Sequence, residues 1–468
     1  MSDVTIVGAG LAGCEAAWQL ARSGARVRLI EMKPLRRTPA QITDSVAELV
    51  CSNSLRSSNV QNAVGLIKEE MRRLDSLIIA CALETRVPAG DALAVDRMQF
   101  AAAIDARLAS LPDITRVSEV VTQLPYSGDT VIATGPLTAD ELASDIVTRL
   151  GERMYFYDAI APIIAGESID RTIAFNASRW GKGEGDDYVN CPLDRTQYET
   201  FVAALLAAEC MPLHDFEEPK YFQGCLPIEV VAASGPDTLR YGTMKPVGLD
   251  DPRTGRWPYA VVQLRKEDTE GRGYNIVGFQ TKMKYPDQLR VFRTIPGLAS
   301  AEFYRMGAIH RNTYLDSPRV LDERMRARSM PHIRFSGQVT GVEGYVESSA
   351  HGLLTGRLVA ADLGLKAFVV PPATTALGAL FGHVTGAHRI EGRPHEPQNV
   401  NWGMVPELGE AVKKSDSKMA RVQRAVRDFE TWADATGEKL TPRSEDAETV
   451  MAGVPQLRKK KQDQYRAT

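Results

Sequence analysis

The stretch that decides the fold of this chain is Val4-Thr5-Ile6-Val7-Gly8-Ala9-Gly10-Leu11-Ala12-Gly13. It opens with a short apolar run that predicts a buried strand, and its three glycines precede a segment of helix formers at residues 14–22. Val27-Arg28-Leu29-Ile30-Glu31 then predicts a second strand. A strand, a helix and a second strand in this order form a βαβ unit with parallel strands. We therefore predict an α/β fold with a Rossmann-like domain and a mainly parallel sheet.

The spacing of the glycines, GxGxxG, predicts a dinucleotide site. Gly8 permits a tight turn, Gly10 lets the backbone approach a pyrophosphate, and Gly13 allows the helix to pack closely on the strand. The helix N-terminus then presents N–H groups to the phosphates, and Glu31 is placed to accept hydrogen bonds from the adenosine ribose. The alternative is a glycine turn that binds nothing. The cofactor-binding residues predicted from this motif are Gly8, Ala9, Gly10, Leu11, Ala12, Gly13 and Glu31.

Two later segments, residues 130–135 and 332–337, predict further strands of the same sheet, and each ends in glycine. A glycine turn near the N-terminus combined with two such distant strands favours FAD over NAD. In many flavoproteins of this type the last strand ends in Gly-Asp, and the Asp meets the ribityl chain. Here Gly337 is followed by Gln338. We expect both residues to contact the flavin, with the amide of Gln338 in place of the carboxylate.

The long interval between these two strands predicts that a second domain is inserted into the first, and 468 residues suffice for two or three domains. We predict a first part of the FAD-binding domain at residues 1–150, an inserted α+β domain facing the substrate at residues 151–329, and the second part of the FAD-binding domain at residues 330–440. Residues 441–468, which include Arg458-Lys459-Lys460-Lys461, are predicted to be a basic polar tail.

Composition restricts the classes of partner. With 56 basic and 59 acidic residues the net charge is -3, so the chain is no bulk polycation, and any nucleic acid must be held by local clusters of cations. No run of 18 apolar residues and no leader segment are present, from which we expect a cytoplasmic protein without a membrane span. The six cysteines form no CxxC pair, so we expect free thiols and no metal site.

Several longer strings go beyond a generic flavoprotein. They include Val50-Cys51-Ser52-Asn53-Ser54-Leu55-Arg56 and Gly337-Gln338-Val339-Thr340-Gly341-Val342-Glu343-Gly344-Tyr345. Further strings lie at residues 63–72, 87–90, 92–97, 222–229 and 307–314. Together they resemble the folate- and FAD-dependent tRNA (uracil-5-)-methyltransferase family. The resemblance runs from residue 3 to about residue 430.

The resemblance implies an enzyme that forms 5-methyluridine in the T-loop of tRNA. The one-carbon unit would come from methylenetetrahydrofolate and the electrons from reduced FAD, with NAD(P)H as the reductant of the flavin. Two alternatives stay open. One is a flavoprotein of the wobble-uridine modification pathway of tRNA, which shares the dinucleotide fold. The other is an RNA-binding flavoprotein without turnover. Protein partners are not indicated by the sequence.

The chemistry of this reaction calls for a thiol. Carbon 5 of uracil is a poor nucleophile, and a thiolate that adds to carbon 6 activates it. The family's two functional cysteines fall on Cys51 and Cys225. Cys225 lies between Gly224 and Leu226 in a predicted turn, and we assign it as the attacking thiol. Cys51 lies in a polar segment and becomes its partner near the flavin. The reverse order stays open.

The remaining cysteines, Cys14, Cys81, Cys191 and Cys210, are interpreted as small structural residues. Tyr345 follows the last strand of the sheet and is expected to pack near the flavin ring, or alternatively in the core.

Candidate substrate residues come from two further strings. His310 and Arg311 are candidates for contact with folate or a phosphate. The stretch 279–284 offers the ring of Phe279 for stacking and the cation of Lys282, although a solvated strand edge explains it equally. Residues 265–293 contain seven Lys or Arg and four acidic residues, and residues 305–328 contain six Lys or Arg and three acidic residues. Such clusters are typical of a surface that binds phosphates, but also of an ordinary solvated surface.

Overall fold

The computed structural model describes residues 3–38, 40–151, 154–211, 226–387, 395–409, 412–413 and 415–453, with the backbone alone for residues 154–158, 310, 311 and 313. In these ranges the strands are β1 Asp3–Val7, β2 Arg26–Glu31, β3 Ser54–Ser57, β4 Arg86–Val87, β5 Ala92–Val95, β6 Ile114–Ser118, β7 Thr130–Ile132, β8 Met154–Ile160, β9 Ile163–Ala165, β10 Phe175–Asn176, β11 Tyr188–Leu193, β12 Ala260–Lys266, β13 Gly273–Ile276, β14 Phe303–Arg305, β15 Ala308–Tyr314, β16 Arg326–Ala327 and β17 Met330–Phe335.

The helices of the same ranges are α1 Leu11–Arg22, α2 Ala63–Arg73, α3 Leu77–Glu84, α4 Arg97–Ala109, α5 Asp140–Leu150, α6 Arg195–Leu206, α7 Ile228–Ala233, α8 Thr238–Tyr241, α9 Tyr285–Phe292, α10 Ser317–Val320, α11 Tyr345–Asp362, α12 Ala376–Thr385, α13 Ser417–Thr436 and α14 Glu445–Ala452. Among these described helices, none combines the length and the apolar character that a membrane span requires.

The central sheet has the strand order β16-β17-β7-β1-β2-β6. Strands β17, β7, β1, β2 and β6 are parallel, and β16 joins the edge antiparallel to β17. Both late segments predicted as strands therefore lie in this sheet, and β7 pairs directly with β1. The predicted α/β fold with a mainly parallel sheet is confirmed.

The glycine turn between β1 and α1 depends on the absence of side chains. Gly8 has a φ of +102°, and a Cβ added there would lie 2.6 Å from the carbonyl oxygen of Ala133. A Cβ on Gly13 would lie 1.9 Å from the carbonyl oxygen of Gly8. The turn is thus packed backbone against backbone, which no residue other than glycine permits at these two positions.

Helix α11 packs on α1 in the same way. A Cβ on Gly352 would lie 2.4 Å from the backbone oxygen of Ala12, and one on Gly356 would lie 2.8 Å from the backbone oxygen of Ala16. Gly337, at the end of β17, would place a Cβ 2.6 Å from the Cβ of Ala12. The last part of the chain therefore fixes the position of the helix that follows the glycine turn.

A second hydrophobic core is built from residues between Ile164 and Ala301. Its sheet has the order β10-β11-β12-β13-β9-β14, and all of its pairs are antiparallel. The chain enters and leaves this region through β8 and β15, which pair with each other. Leu315 and Leu321 already belong to the first core. We therefore place the end of the inserted domain near residue 314 instead of the predicted 329.

The predicted polar tail begins later than residue 441. Ser444 caps α14 through its side chain, and its backbone N–H donates to the Glu69 carboxylate of α2 at 2.9 Å. Ala447 and Val450 on this helix are buried. The cap, three acids in the first turn and this apolar pair explain why the segment is helical and docked. The remainder of the tail, from residue 454, lies outside the described residues.

Gly352→Ala tests the contact between α1 and α11. At an exposed position inside a helix, replacing Gly by Ala stabilises the helix by about 1 kcal/mol. Here the added methyl group meets the backbone of Ala12, which has no rotamer with which to avoid it. We expect a net loss of about 1–3 kcal/mol in the free energy of unfolding, measured by urea denaturation. The matched control is Gly409→Ala, where a Cβ meets no atom within 4 Å. A Gly352→Ala protein as stable as the wild type contradicts the proposed rigidity of this contact.

Candidate dinucleotide and cysteine site

A groove opens at the carboxyl ends of strands β1, β2 and β7, where ligands bind in open α/β sheets. It encloses about 1070 Å³, its open mouth included. The predicted cofactor residues that line it are Gly8, Ala9, Gly10, Leu11, Ala12, Glu31, Gln338 and Tyr345. Gly13 and Gly337 lie behind the lining and pack against Gly8 and Ala12. The sequence motif and the last strand therefore meet at one groove.

The space around Gly10 fits a dinucleotide. A Cβ on Gly10 would meet no protein atom within 4 Å, in contrast to Gly8 and Gly13, so the backbone at Gly10 faces open space in the groove. Helix α1 begins directly after it, and among the described residues no side chain caps its N-terminus. Its first N–H groups are thus available to an anion, as a pyrophosphate requires.

Glu31 ends β2 beside the glycine turn. Its carboxylate accepts hydrogen bonds from the backbone N–H of Ala9 at 2.9 Å and of Lys33 at 3.2 Å. The carboxylate therefore holds the turn in place while it lines the groove. Its contact with a ribose stays a prediction.

Gly337 and Gln338 are held by residues of the C-terminal part. The Gly337 N–H donates to Nδ1 of His351 at 3.0 Å, and the Gln338 amide nitrogen donates to the Glu343 carboxylate at 2.7 Å. Burial lowers the pKa of His351 to about 3, so the imidazole is neutral and Nδ1 is an acceptor. This role of His351 was not predicted from the sequence.

Cys51 lies at the groove. Its backbone N–H donates to the hydroxyl oxygen of Tyr345 at 2.7 Å, and Tyr345 lines the groove together with the glycine turn. Cys51 is partly exposed. One of the two candidate cysteines is therefore hydrogen-bonded directly to a residue that lines the dinucleotide groove.

Three arginines from distant parts of the chain interact electrostatically with Cys51: Arg97, Arg265 and Arg305. Burial lowers the pKa of Arg265 and of Arg305, whereas the Glu267 carboxylate outweighs burial and raises the pKa of Arg97. Cations close to a cysteine stabilise its thiolate, which is the reactive form.

Arg97 also fixes the backbone on which Cys51 lies. Its guanidinium donates to the carbonyl oxygens of Leu49 and Cys51, the latter at 3.0 Å, and forms an ion pair with Glu267. Arg97 begins α4 in the first domain, whereas Glu267 follows β12 in the inserted region. We call residues 49–52 the cysteine loop. Arg97 thus links this loop to both domains.

Asn53 makes the second link across the same boundary. Its side-chain amide donates to the carbonyl oxygens of Val95 and Lys266, each at 2.9 Å, and its oxygen accepts from Nε of Arg265 at 2.9 Å. Asn53 is fully buried, and these bonds satisfy both donors of its side chain and its acceptor.

Cys225 lies outside the described residues. The helix that follows it, α7, is hydrogen-bonded to the stretch 280–282. The backbone N–H of Ile228 donates to the Gln280 carbonyl at 2.7 Å, and the backbone N–H of Lys282 donates to the Glu229 carboxylate at 2.8 Å. Lys282 is partly buried at this junction. Its predicted role toward a substrate stays a prediction.

The other candidate substrate residues are placed less directly. His310 and Arg311 lie on β15, opposite residues 158 and 157 of β8, and their side chains are outside the described set. The prediction that Phe279 stacks on a ligand is wrong. Its ring is fully buried in the second core, 5.9 Å from the ring of Phe201 and 6.0 Å from that of Phe292.

Several cations of the two basic clusters are paired or turned inward in the part of the chain that the structure describes. Arg272 pairs with Glu270 at 3.1 Å, Lys284 pairs with Glu209 at 2.7 Å, and Arg290 pairs with Asp287. Arg265 and Arg305 are directed to Asn53 and to the Ala40 carbonyl instead of solvent. At these five positions a count of charges along the chain overstates the cations available to a phosphate, because the count does not show which cations are paired.

The structural interpretation of three other cysteines agrees with their burial. Cys14, Cys81 and Cys191 are buried, and burial raises the pKa of Cys81 to about 11 and that of Cys191 to about 12. These thiols are protonated at neutral pH. Cys210 is partly exposed, and burial together with Glu229 raises its pKa as well.

Comparisons with known proteins agree with this geometry. The profile of a family described as "Glucose inhibited division protein A" matches residues 3–366. A relative from Anaeromyxobacter dehalogenans (strain 2CP-C), named methylenetetrahydrofolate--tRNA-(uracil-5-)-methyltransferase TrmFO, is 56% identical over 442 residues, which cover 94% of this chain and 98% of the relative. A relative of the same name from Geobacter sulfurreducens is 54% identical over 429 residues, or 92% and 98% of the two chains. This chain belongs to the TrmFO family.

A solved structure shares the fold of this TrmFO family member. The GidA protein of Aquifex aeolicus, in its form I crystal, superposes with a TM-score of 0.67 at 14% identity, covering 96% of this chain and 77% of that chain. The likeness extends beyond the dinucleotide domain to nearly the whole chain.

Three residues that interact with Cys51 in this TrmFO family member were not predicted as site residues from the sequence: Arg97, Arg265 and Arg305. Arg97 closes one of the strings that carry the family resemblance, and Arg265 was counted only as part of a basic cluster. The available signal was the position of Arg97 directly after the apolar run 92–95 and Asp96, which caps α4, since residues in the connections between elements often reach a site.

Gly10→Val tests the dinucleotide site of this family member apart from its fold. Because a Cβ at Gly10 meets no protein atom, we expect the variant to fold with an unchanged far-UV circular dichroism spectrum. The valine side chain would occupy the space through which the backbone approaches a pyrophosphate. We expect the purified protein to lose its flavin absorbance near 450 nm, roughly tenfold or more relative to the wild type. A fully yellow Gly10→Val protein contradicts the assignment of the groove.

Proposed function

We propose that this chain methylates carbon 5 of the T-loop uridine of tRNA. Methylenetetrahydrofolate is the carbon donor, FAD is the cofactor in the groove, and NAD(P)H is the reductant. The relatives named for the folate-dependent reaction on tRNA uracil support this proposal at 52–56% identity. The structural observation that carries it is the hydrogen bond between the Cys51 N–H and Tyr345, because it connects a candidate thiol with the dinucleotide groove.

The residues of the chain have separate tasks in this reaction. Bound FAD, with the folate, supplies the one-carbon unit and the electrons. Cys225 adds to carbon 6 of uracil and makes carbon 5 nucleophilic, and the carbon–sulfur bond breaks again when the carbon 5 proton leaves. Cys51 is the partner that takes this proton, and Tyr345 lies against the flavin. In the reverse assignment, the arginines around Cys51 stabilise it as the attacking thiolate.

Arg97 has a positioning task. Its planar guanidinium contacts two carbonyl oxygens of the cysteine loop and a carboxylate of the inserted domain. The loop therefore keeps its place relative to both domains while substrates enter and leave. An error of 1 Å in the position of a reacting group costs about 100-fold in rate.

The decisive experiment incubates the yellow protein with unmodified tRNA, NADH and methylenetetrahydrofolate labelled in the one-carbon unit. We expect label in 5-methyluridine after digestion to nucleosides, at the T-loop position when the tRNA is cut into fragments. Label in the anticodon would favour the wobble-uridine alternative. Oxidation of NADH without labelled nucleoside, or no turnover at all, would contradict the proposed methyl transfer.

Cys225→Ala and Cys51→Ala test the two thiols. Each variant should bind FAD at the wild-type level, because neither sulfur is needed for the glycine turn, and each should lose 5-methyluridine formation by about 100-fold or more. Cys210→Ser is the matched control, since Cys210 is the other described cysteine with partial exposure. Normal methylation by Cys225→Ala refutes its assignment as the attacker.

Arg97→Lys tests the positioning task. Lysine keeps the charge but cannot donate to three acceptors in a planar arrangement. We expect methylation to fall about tenfold or more with an unchanged content of flavin. Arg107→Lys is the matched control, because Arg107 lies on the same helix and pairs with Glu84 on the surface. Equal activity of the Arg97→Lys and Arg107→Lys proteins contradicts the positioning task.

A further inference from the structure

The inserted domain carries a slot between exposed aromatic rings. Its lining is Arg240, Tyr241, Lys245, Pro246, Val247, Trp257 and Pro258, and it encloses about 670 Å³ with its open side included. We call it the aromatic slot. Tyr241 is 70% exposed and Trp257 is 48% exposed. Aromatic side chains of this size are mostly buried in folded proteins, and a cluster of exposed aromatic side chains marks an interaction site.

Trp180 extends the aromatic surface beyond the slot. It is 63% exposed, and its ring lies edge-on to Trp257 with the centroids 6.0 Å apart. Its φ of +61° is in the left-handed region, which is rare for a bulky residue. The backbone N–H of Trp180 donates to the Gly248 carbonyl at 3.0 Å, and a Cβ on Gly248 would lie 2.7 Å from the Trp180 ring. The chain thus holds a tryptophan outward at a conformational cost.

Cations border the slot. The Arg240 guanidinium lies 5.3 Å from the centre of the Tyr241 ring and 4.2 Å from that of Tyr259. Lys245 is exposed on the slot's rim. In the ranges that the structure describes, neither Arg240 nor Lys245 forms an ion pair. The Arg240 guanidinium donates to the Tyr259 carbonyl at 3.0 Å and to the Tyr241 hydroxyl at 3.2 Å, which fixes it beside these rings, and Lys245 is the exposed charge that can meet an anionic ligand.

Exposed aromatic rings that line one slot next to cations suit a flat ring that carries a negative charge. An unpaired nucleotide has this chemistry: the base stacks on aromatic side chains and the phosphate meets Lys or Arg. We propose that the aromatic slot binds an unpaired nucleotide of the tRNA substrate outside the target loop. The inference rests on the proposed function, because it takes tRNA as the substrate.

The position of the slot distinguishes tRNA from folate as its occupant. Trp257 and Tyr259 precede the first residue of β12, whereas Arg265, near the other end of β12, contacts Asn53 beside the cysteine loop. The length of this strand separates the two ends by roughly 20 Å. A folate that gives up its carbon at the groove cannot place its flat pterin ring in the slot at the same time. A polynucleotide spans both places.

The test measures binding of fluorescently labelled, unmodified tRNA to the full-length flavin-loaded protein, without reductant so that no reaction occurs. For Tyr241→Ala/Trp257→Ala we expect the Kd to rise about tenfold or more through lost stacking. Trp257→Phe should retain most of the affinity, and Lys245→Gln should lower the slope of log Kd against log salt by about 1. Tyr126→Ala is the matched control, an exposed tyrosine with Arg149 at 4.6 Å from its ring in the first domain.

Turnover separates the possible results. Support requires a raised KM for tRNA in Tyr241→Ala/Trp257→Ala, with kcat and the KM for methylenetetrahydrofolate unchanged. An unchanged Kd for tRNA, or a raised KM for the folate alone, overturns the proposal. Flavin content and circular dichroism establish folding, and Trp257→Phe and Lys245→Gln carry the test if the double variant misfolds. Wild-type protein that binds tRNA without methylating it refutes the proposed function and leaves the slot assignment standing.

Discussion

Contact between backbones, with no side chain interposed, is the constraint on which the dinucleotide groove depends. Gly13 packs on the carbonyl of Gly8, and Gly352 packs on the backbone of Ala12. Peptide groups in direct contact cannot adjust by changing rotamer, so the turn, the start of α1 and the last sheet strand hold one geometry. Gly10 is the exception, since it faces open space. Gly8 and Gly13 are therefore required by the fold, whereas Gly10 is required by the ligand that approaches its backbone.

The cysteine loop belongs to neither domain alone. Asn53 is bonded to Val95 on one side and to Arg265 and Lys266 on the other, and Arg97 reaches across to Glu267. Buried polar side chains of this kind stabilise only when every donor and acceptor is matched, and Asn53 meets that condition. The inserted domain therefore contributes to the placement of Cys51 even though it contributes little to the dinucleotide groove.

What could be predicted from the sequence is what depends on local spacing. The glycine turn, the strand that ends at Glu31 and the two distant strands are patterns within a few residues. The three strands lie in the central sheet as predicted, and the turn connects β1 to α1. The surroundings of Cys51 could not be predicted, because Arg97, Arg265 and Arg305 are brought together only by the tertiary fold. Phe279 illustrates the same limit: its ring is fully buried, and its neighbours Gly278 and Gln280 do not indicate in the sequence whether the ring faces the core or a ligand.

The antiparallel pair of β8 and β15 gives the inserted domain an unusual attachment. Residue 314 lies opposite residue 154, so the two points at which the domain joins the chain are neighbours about 5 Å apart. A segment whose ends meet can be exchanged during evolution without displacing the remainder of the chain, as loop insertions are. Residues that contact the first domain, such as Arg265 and Glu267, restrict that exchange. The inserted domain is therefore joined to the chain like a separable module, but its contacts help to position the residues around Cys51.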